Sequence, residues 1–216
     1  MKNGVTQALY SYWDDLRGTR PAPNRSEVDP GRIRGLLGDT FILETSGAQN
    51  VRYRLAGTRL CSAHCRELKG RNFLRGWSTK DREALESLLT AITEDGAAAV
   101  VGVNGHTERD QVLRMEMLLL PLNVPGEGRT RILGSCTPMD RPYWLGLHPI
   151  LQQSITSLRL VWPDERPAFL RGPQTANPIL PRFQAERMPM PVPAAAMAAG
   201  AERRVGHLTV YQGGKA

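Results

Sequence analysis

Cys61, His64 and Cys65 fall within five residues of one another, and thiolates and imidazole are good ligands for zinc or iron. Read as part of a short helix near residues 60–68, they place both thiols one turn apart on one face. A structural metal site needs four ligands, and no second Cys or His pair supplies the rest. His106 and Cys136 are distant in the chain and would both have to fold back. A nucleophilic centre on Cys61 or Cys65 with His64 is too local, because such centres draw partners from different elements. Glu44, Glu67, Asp81 and Asp110 show no pairing that argues for acid–base work, and Gly31–Gly38 and Gly126–Gly128 fit turns, not a phosphate loop. No catalytic residue and no metal site is assigned. The cofactor is left open, and a metal or haem protein centred on Cys61, His64 and Cys65 stays as an alternative.

Arg17, Arg20 and Arg25 alternate with Pro21 and Pro23. Three guanidinium groups on an extended strip could hold an anionic ligand or an acidic partner. The same strip could pin the preceding helix through Asp14 and Asp15, and that reading is preferred. The net charge is 28 − 21 = +7, carried mostly by arginine, with lysine only at positions 2, 69, 80 and 215. These cations are scattered through the elements, so a solvated arginine-rich surface is preferred, and a nucleic-acid-associated regulator is kept as an alternative. Three cysteines are too few for a disulfide framework and fit a reducing compartment. No apolar run reaches the ~20 residues of a membrane helix, and no signal-peptide core follows Met1. The cytoplasm is therefore expected.

The elements that would carry these residues are legible from periodicity. Val5, Leu9, Tyr12, Trp13 and Leu16 predict an amphipathic helix over ~3–17, ended by Gly18. It is too short to be stable alone, so it either covers its own sheet or pairs with a second copy in a homodimer. Asp29-Pro30 should open a short helix running to Leu37. Strands are expected at 41–44 and 51–56, and a long helix from Thr79 to Asp95 behind a Ser78 cap. Further strands follow near 97–103, 111–120 and 131–138, with an extra one at 156–162. On the strand at 111–120 the outer face turns apolar towards its C-terminal end. Eight prolines between Pro163 and Pro193 argue for a flexible linker over 163–204, with a short strand at 207–211. Strand, short helix, long helix, then antiparallel strands is the order of a one-sheet α+β domain with a pocket between helices and sheet.

The run Leu9-Tyr-Ser-Tyr-Trp-Asp-Asp-Leu-Arg-Gly-Thr-Arg-Pro-Ala-Pro-Asn-Arg25, followed by Asp29-Pro30, resembles the opening of a family of small bacterial PAS-domain proteins. Tyr53-Arg-Leu-Ala-Gly-Thr58, Gly70-Arg-Asn-Phe73, Gly134 with Pro138, Tyr143-Trp-Leu-Gly146 and Gly206-His-Leu-Thr-Val-Tyr-Gln-Gly-Gly214 continue the likeness. It implies a five-stranded antiparallel sheet with helices on one face, and a role in bacterial signalling; it supplies no catalytic residues. The expected layout is a helical extension over 1–38, a PAS-like domain over 39–162 and a Pro-rich tail over 163–216. Leu60, His64, Phe73, Trp77, Met115 and Met117 are the candidate lining of a ligand pocket, and core packing explains each equally well. A protein partner and a small-molecule ligand are both compatible with this layout. A membrane partner is not expected.

Overall fold

The computed structural model describes residues 1–47, 49–165, 167–170, 203–205 and 208–210. Asn3 starts the first helix, α1 (Gly4–Arg17), by accepting the Val5 amide on its side chain at 2.8 Å, and Gly18 ends it with φ +58°. Beyond α1, the expected helix at Asp29–Leu37 is absent. Amides reach back only three residues there, Arg32 to Asp29 and Leu36 to Ile33, so the segment is a run of turns. Gly31 and Gly35 weaken any longer helix.

The strands are β1 (Thr40–Thr45), β2 (Val51–Ala56), β3 (Ala98–His106), β4 (Val112–Val124), β5 (Gly128–Pro138) and β6 (Gln152–Val161). They form one sheet in the order β2-β1-β5-β4-β3-β6, with every neighbouring pair antiparallel. The α+β antiparallel architecture is as expected, and β6 makes the sheet six-stranded instead of five-stranded. β6 also begins four residues earlier than the apolar alternation suggests, because its first residues are the polar Gln152-Gln153-Ser154.

Helices lie on both faces, which corrects the one-face expectation. On one face α2 (Thr58–Ala63) and α3 (Thr79–Glu94) cover Val101, Val103, Met115, Met117 and Leu119. On the other, α1 buries Leu9, Tyr10, Tyr12 and Trp13 against Ile42, Val100, Leu118, Leu120, Leu122 and Leu133. A strand covered on both sides needs apolar residues on both sides, which is why β4 loses its alternation beyond Met117. Trp13 Nε1 donates to the Pro121 carbonyl at 2.8 Å. The Glu116 carboxylate accepts the Lys2 and Asn3 amides at 2.8 and 3.0 Å, clasping the start of α1. The apolar stripe of α1 is therefore occupied within the chain, and it is not available to build a homodimer as the alternative required.

Pro163 and Phe169, in the expected linker, touch α1. Arg17 donates to the Pro163 carbonyl at 3.0 Å, and Phe169 meets the Tyr10 ring edge-on at 5.7 Å. The remainder of the expected linker up to 202 lies outside the described residues. A separate unit contains the hairpin β7 (Arg203–Val205) and β8 (Leu208–Val210); of the strand expected at 207–211, positions 207 and 211 lie outside the described residues. No helix among the described residues is long and apolar enough to cross a membrane.

Candidate functional site

Leu60, Phe73, Trp77, Met115 and Met117 are all buried in one core with Leu85, Leu88, Leu89 and Ile92 of α3. Phe41, Tyr53 and Phe73 pack ring to ring with centroids 5.6–6.2 Å apart, and Trp77 adds to this group through Phe73 at 6.1 Å. Trp77 satisfies its indole N–H on the Phe73 carbonyl at 3.1 Å. Cys136 sits against Met115, sulfur to sulfur at 3.7 Å, and burial pushes its thiol up to about 12. Burial likewise drives the Tyr53 phenol well above its ordinary value. The space between helices and sheet is filled by side chains.

α2 is shorter than the expected helix, and its end explains where the thiols go. Cys65 takes φ +48°, its amide bonds the Ser62 carbonyl, and the Arg66 amide bonds the Cys61 carbonyl at 3.1 Å. This is a Schellman cap with cysteine where glycine is usual. Cys65 thus lies beyond the helix and is exposed, its sulfur 3.4 Å from the Gly146 carbonyl; Cys61 instead lies 3.7 Å from Glu67. The two thiols do not share a helical face. Among the described residues no three His, Cys, Asp or Glu side chains are grouped as metal ligands. Cys65→Gly should raise stability by about 1 kcal/mol, measured as a shift in the urea midpoint, because only glycine takes this backbone conformation without strain.

Arg17 and Arg20 are committed to structure. Arg17 lies over the Trp13 ring at 5.1 Å and donates to Asp14 at 2.7 Å; Arg20 pairs with Glu27 at 3.1 Å and caps the Leu16 carbonyl. Arg25 is half-buried in a 3-10 turn, Arg25–Glu27.

The open space is elsewhere. The connector from α2 to α3 lies along the outer edge of β2: the Gly70 amide bonds the Tyr53 carbonyl (2.7 Å), Tyr53 bonds Arg71 (3.0 Å) and Phe73 bonds Val51 (2.7 Å). A few residues later the same connector receives β6, through the Gln153 amide on the Gly76 carbonyl at 2.8 Å. Phe73 and Gly76, which bond β2 and β6, are at most ~11 Å apart, so with one ~4.8 Å spacing on each side the two strands lie within ~21 Å there. In a flat sheet the first and sixth strands would stand ~24 Å apart. The sheet must therefore curl, and the connector bridges its two edges.

Between the connector and β6 lies a cleft of about 280 Å³. Tyr53, Leu68, Phe73 and Ile150 supply its apolar lining, and His64, Gln152 and Gln153 its neutral polar groups. Arg66, Arg71 and Arg75 complete the wall. Of the six expected lining residues, His64 and Phe73 reach this cleft, while Leu60, Trp77, Met115 and Met117 do not. The arginines were not singled out by spacing, yet a signal was present. Residues 57–78 carry Arg59, Arg66, Lys69, Arg71 and Arg75 against Glu67 alone, 5 − 1 = +4 of the chain's +7.

His64 is buried, with Nδ1 3.1 Å from the Leu60 carbonyl, which can only accept and so places the proton on Nδ1. Burial lowers its pKa from the ordinary 6.5, the nearby Arg66 charge lowers it further, and the Leu60 bond opposes both. A lowered folded-state value means the unfolded chain binds the proton first as the solution is acidified. Stability should be unaffected by His64 above pH 6.5 and should fall as the pH drops below it. Melting temperatures at pH 7.5 and 5.5 check this: His64→Gln should flatten the slope, and an unchanged slope would contradict it.

A family model described as a PAS domain matches residues 1–137, well over half of the 216-residue chain. The match runs from α1 through most of β5. No curated protein matches the chain. With the curled antiparallel sheet, the short and long helices on one face and this match together, the chain belongs to the PAS-domain family.

Proposed function

We propose that this chain is a non-catalytic signalling module that receives a small molecule in the cleft between the α2–α3 connector and β6, and passes the event to a protein partner. Membership of the PAS-domain family carries a signal-sensing or regulatory role. The observation that carries the finer reading is the division of space: the interior is packed with side chains, while the cleft keeps an apolar floor beside the side chains of Gln152, Gln153 and Arg75, which make no hydrogen bond among the described residues. A ligand there touches both edges of the sheet, through the connector on β2 and through the start of β6. Binding would thus bias how tightly the sheet curls. The setting in this reading is the bacterial cytoplasm, which suits three free cysteines.

Thermal-shift screening of metabolites on the full chain tests the reading. A stabilising compound whose effect is lost in Phe73→Ala, with that variant shown to be folded, supports it. Stabilisers whose effect ignores the cleft residues would contradict it. A second reading, a protein adaptor without a small ligand, is favoured by the loop between β5 and β6, where Tyr143 is 87% exposed and Leu147 69% exposed. Loss of partner capture on Tyr143→Ser, with no ligand found, would select that reading.

A further inference from the structure

We infer that the cleft takes a small organic anion: a phosphate or carboxylate head on a flat apolar body. This deepens the reading of the cleft as the site of signal reception and rests on it. Of the eighteen arginines in residues 1–159, eleven meet no carboxylate among the described residues, and three of those eleven line this one cleft. Arg17, Arg20, Arg54, Arg59, Arg114, Arg131 and Arg159 each meet a carboxylate within 4.0 Å. Among the described residues Arg66, Arg71 and Arg75 meet none. The connector's single acid, Glu67, faces away from the cleft wall, accepting the Lys69 amide at 3.1 Å and lying beside Cys61.

Two of these arginines are also held in place. Arg66 Nε donates to the His64 carbonyl at 3.3 Å and Arg71 Nε to the Glu67 carbonyl at 2.8 Å. Anchoring through Nε fixes a guanidinium while leaving its terminal N–H groups free, which is the fork that matches a phosphate or carboxylate. Held side chains lose less freedom on binding. Beneath them Phe73, Tyr53 and Ile150, nearly wholly buried, close the bottom of the cleft with apolar atoms, and about 280 Å³ accommodates a single ring with its acidic head. The neighbouring cleft, on the far side of Asn72 and Arg75, is a poorer anion site because Glu86 lines it with Arg82.

The test is isothermal titration of the full chain with phenyl phosphate, inorganic phosphate, benzoate and benzyl alcohol, with amide NMR shifts locating each probe. Phenyl phosphate or benzoate should bind saturably, at least tenfold tighter than inorganic phosphate and than benzyl alcohol, and should shift the Phe73 and Gln153 amides. Whichever of the two binds more tightly identifies the head group. The variant Arg66→Gln/Arg75→Gln, altered only at exposed side chains, should stay folded and lose at least tenfold of that affinity. Equal affinity for benzyl alcohol, or an unchanged affinity in the double variant, overturns anion selectivity while leaving the cleft as a binding site. No shift at Phe73 or Gln153 with any probe overturns both the anion site and the reading it rests on.

Discussion

Trp13→Ala should lower the stability of the chain by about 3–5 kcal/mol, the cost of removing a large buried ring whose site cannot collapse. The ring is 1% exposed, sits under the Arg17 guanidinium and is fixed by its bond to Pro121. Pro121 lies past the last β3–β4 pair, Ala99 with Leu119, so a proline is tolerated in β4 and its carbonyl is open to the indole. Removing Trp13 takes away the main anchor of a 14-residue helix that is marginal on its own. The exposed sheet face would then carry Leu118, Leu120 and Leu122, so the variant should also associate at concentrations where the parent does not. Urea midpoints and sedimentation check the two effects. A loss below about 1 kcal/mol would mean α1 is not an integral layer of the domain.

Gly57→Ala should cost about 3 kcal/mol, at the upper end of what overpacking does. Gly57 joins β2 to α2, and its amide bonds the Thr40 carbonyl at 2.8 Å. A Cβ here would run into the carbonyl oxygens of Leu37 and Gly38, both backbone atoms that cannot swing aside. Arg59 clamps the same junction, donating from Nε and Nη2 to the Asp39 carboxylate at 2.9 and 2.6 Å. The strain would reach the cleft directly, since α2 leads to His64 and Arg66. Gly4→Ala is the control: nothing lies within 4 Å of its Cβ, and stability should be unchanged or slightly raised. Equal midpoints for the two variants would contradict the steric account.

Periodicity reached the long elements because their burial is one-sided and regular. α1 and α3 bury Leu9, Tyr12 and Trp13, and Leu85, Leu88, Leu89 and Ile92, at helical spacing. The second layer was also legible in part, since the apolar outer face of β4 makes sense only beneath a covering helix. Cys65 was not legible. A glycine at that position would announce the end of α2; a cysteine in the left-handed region does not, so periodicity alone carries the expected helix on to Leu68. The cleft stayed hidden for a different reason. Gln152 and Gln153 lie some eighty residues beyond Arg66, Arg71 and Arg75, and only the curl of the sheet and the connector across its edges bring them together.

The most direct measurement is a crystal structure of the full chain soaked with phenyl phosphate. Density for the ring over Phe73, with the phosphate between Arg66 and Arg75 and the core around Met115 and Met117 still filled, is the predicted result. A ligand seated in that core instead, with Trp77 or Met117 displaced to admit it, would contradict the account.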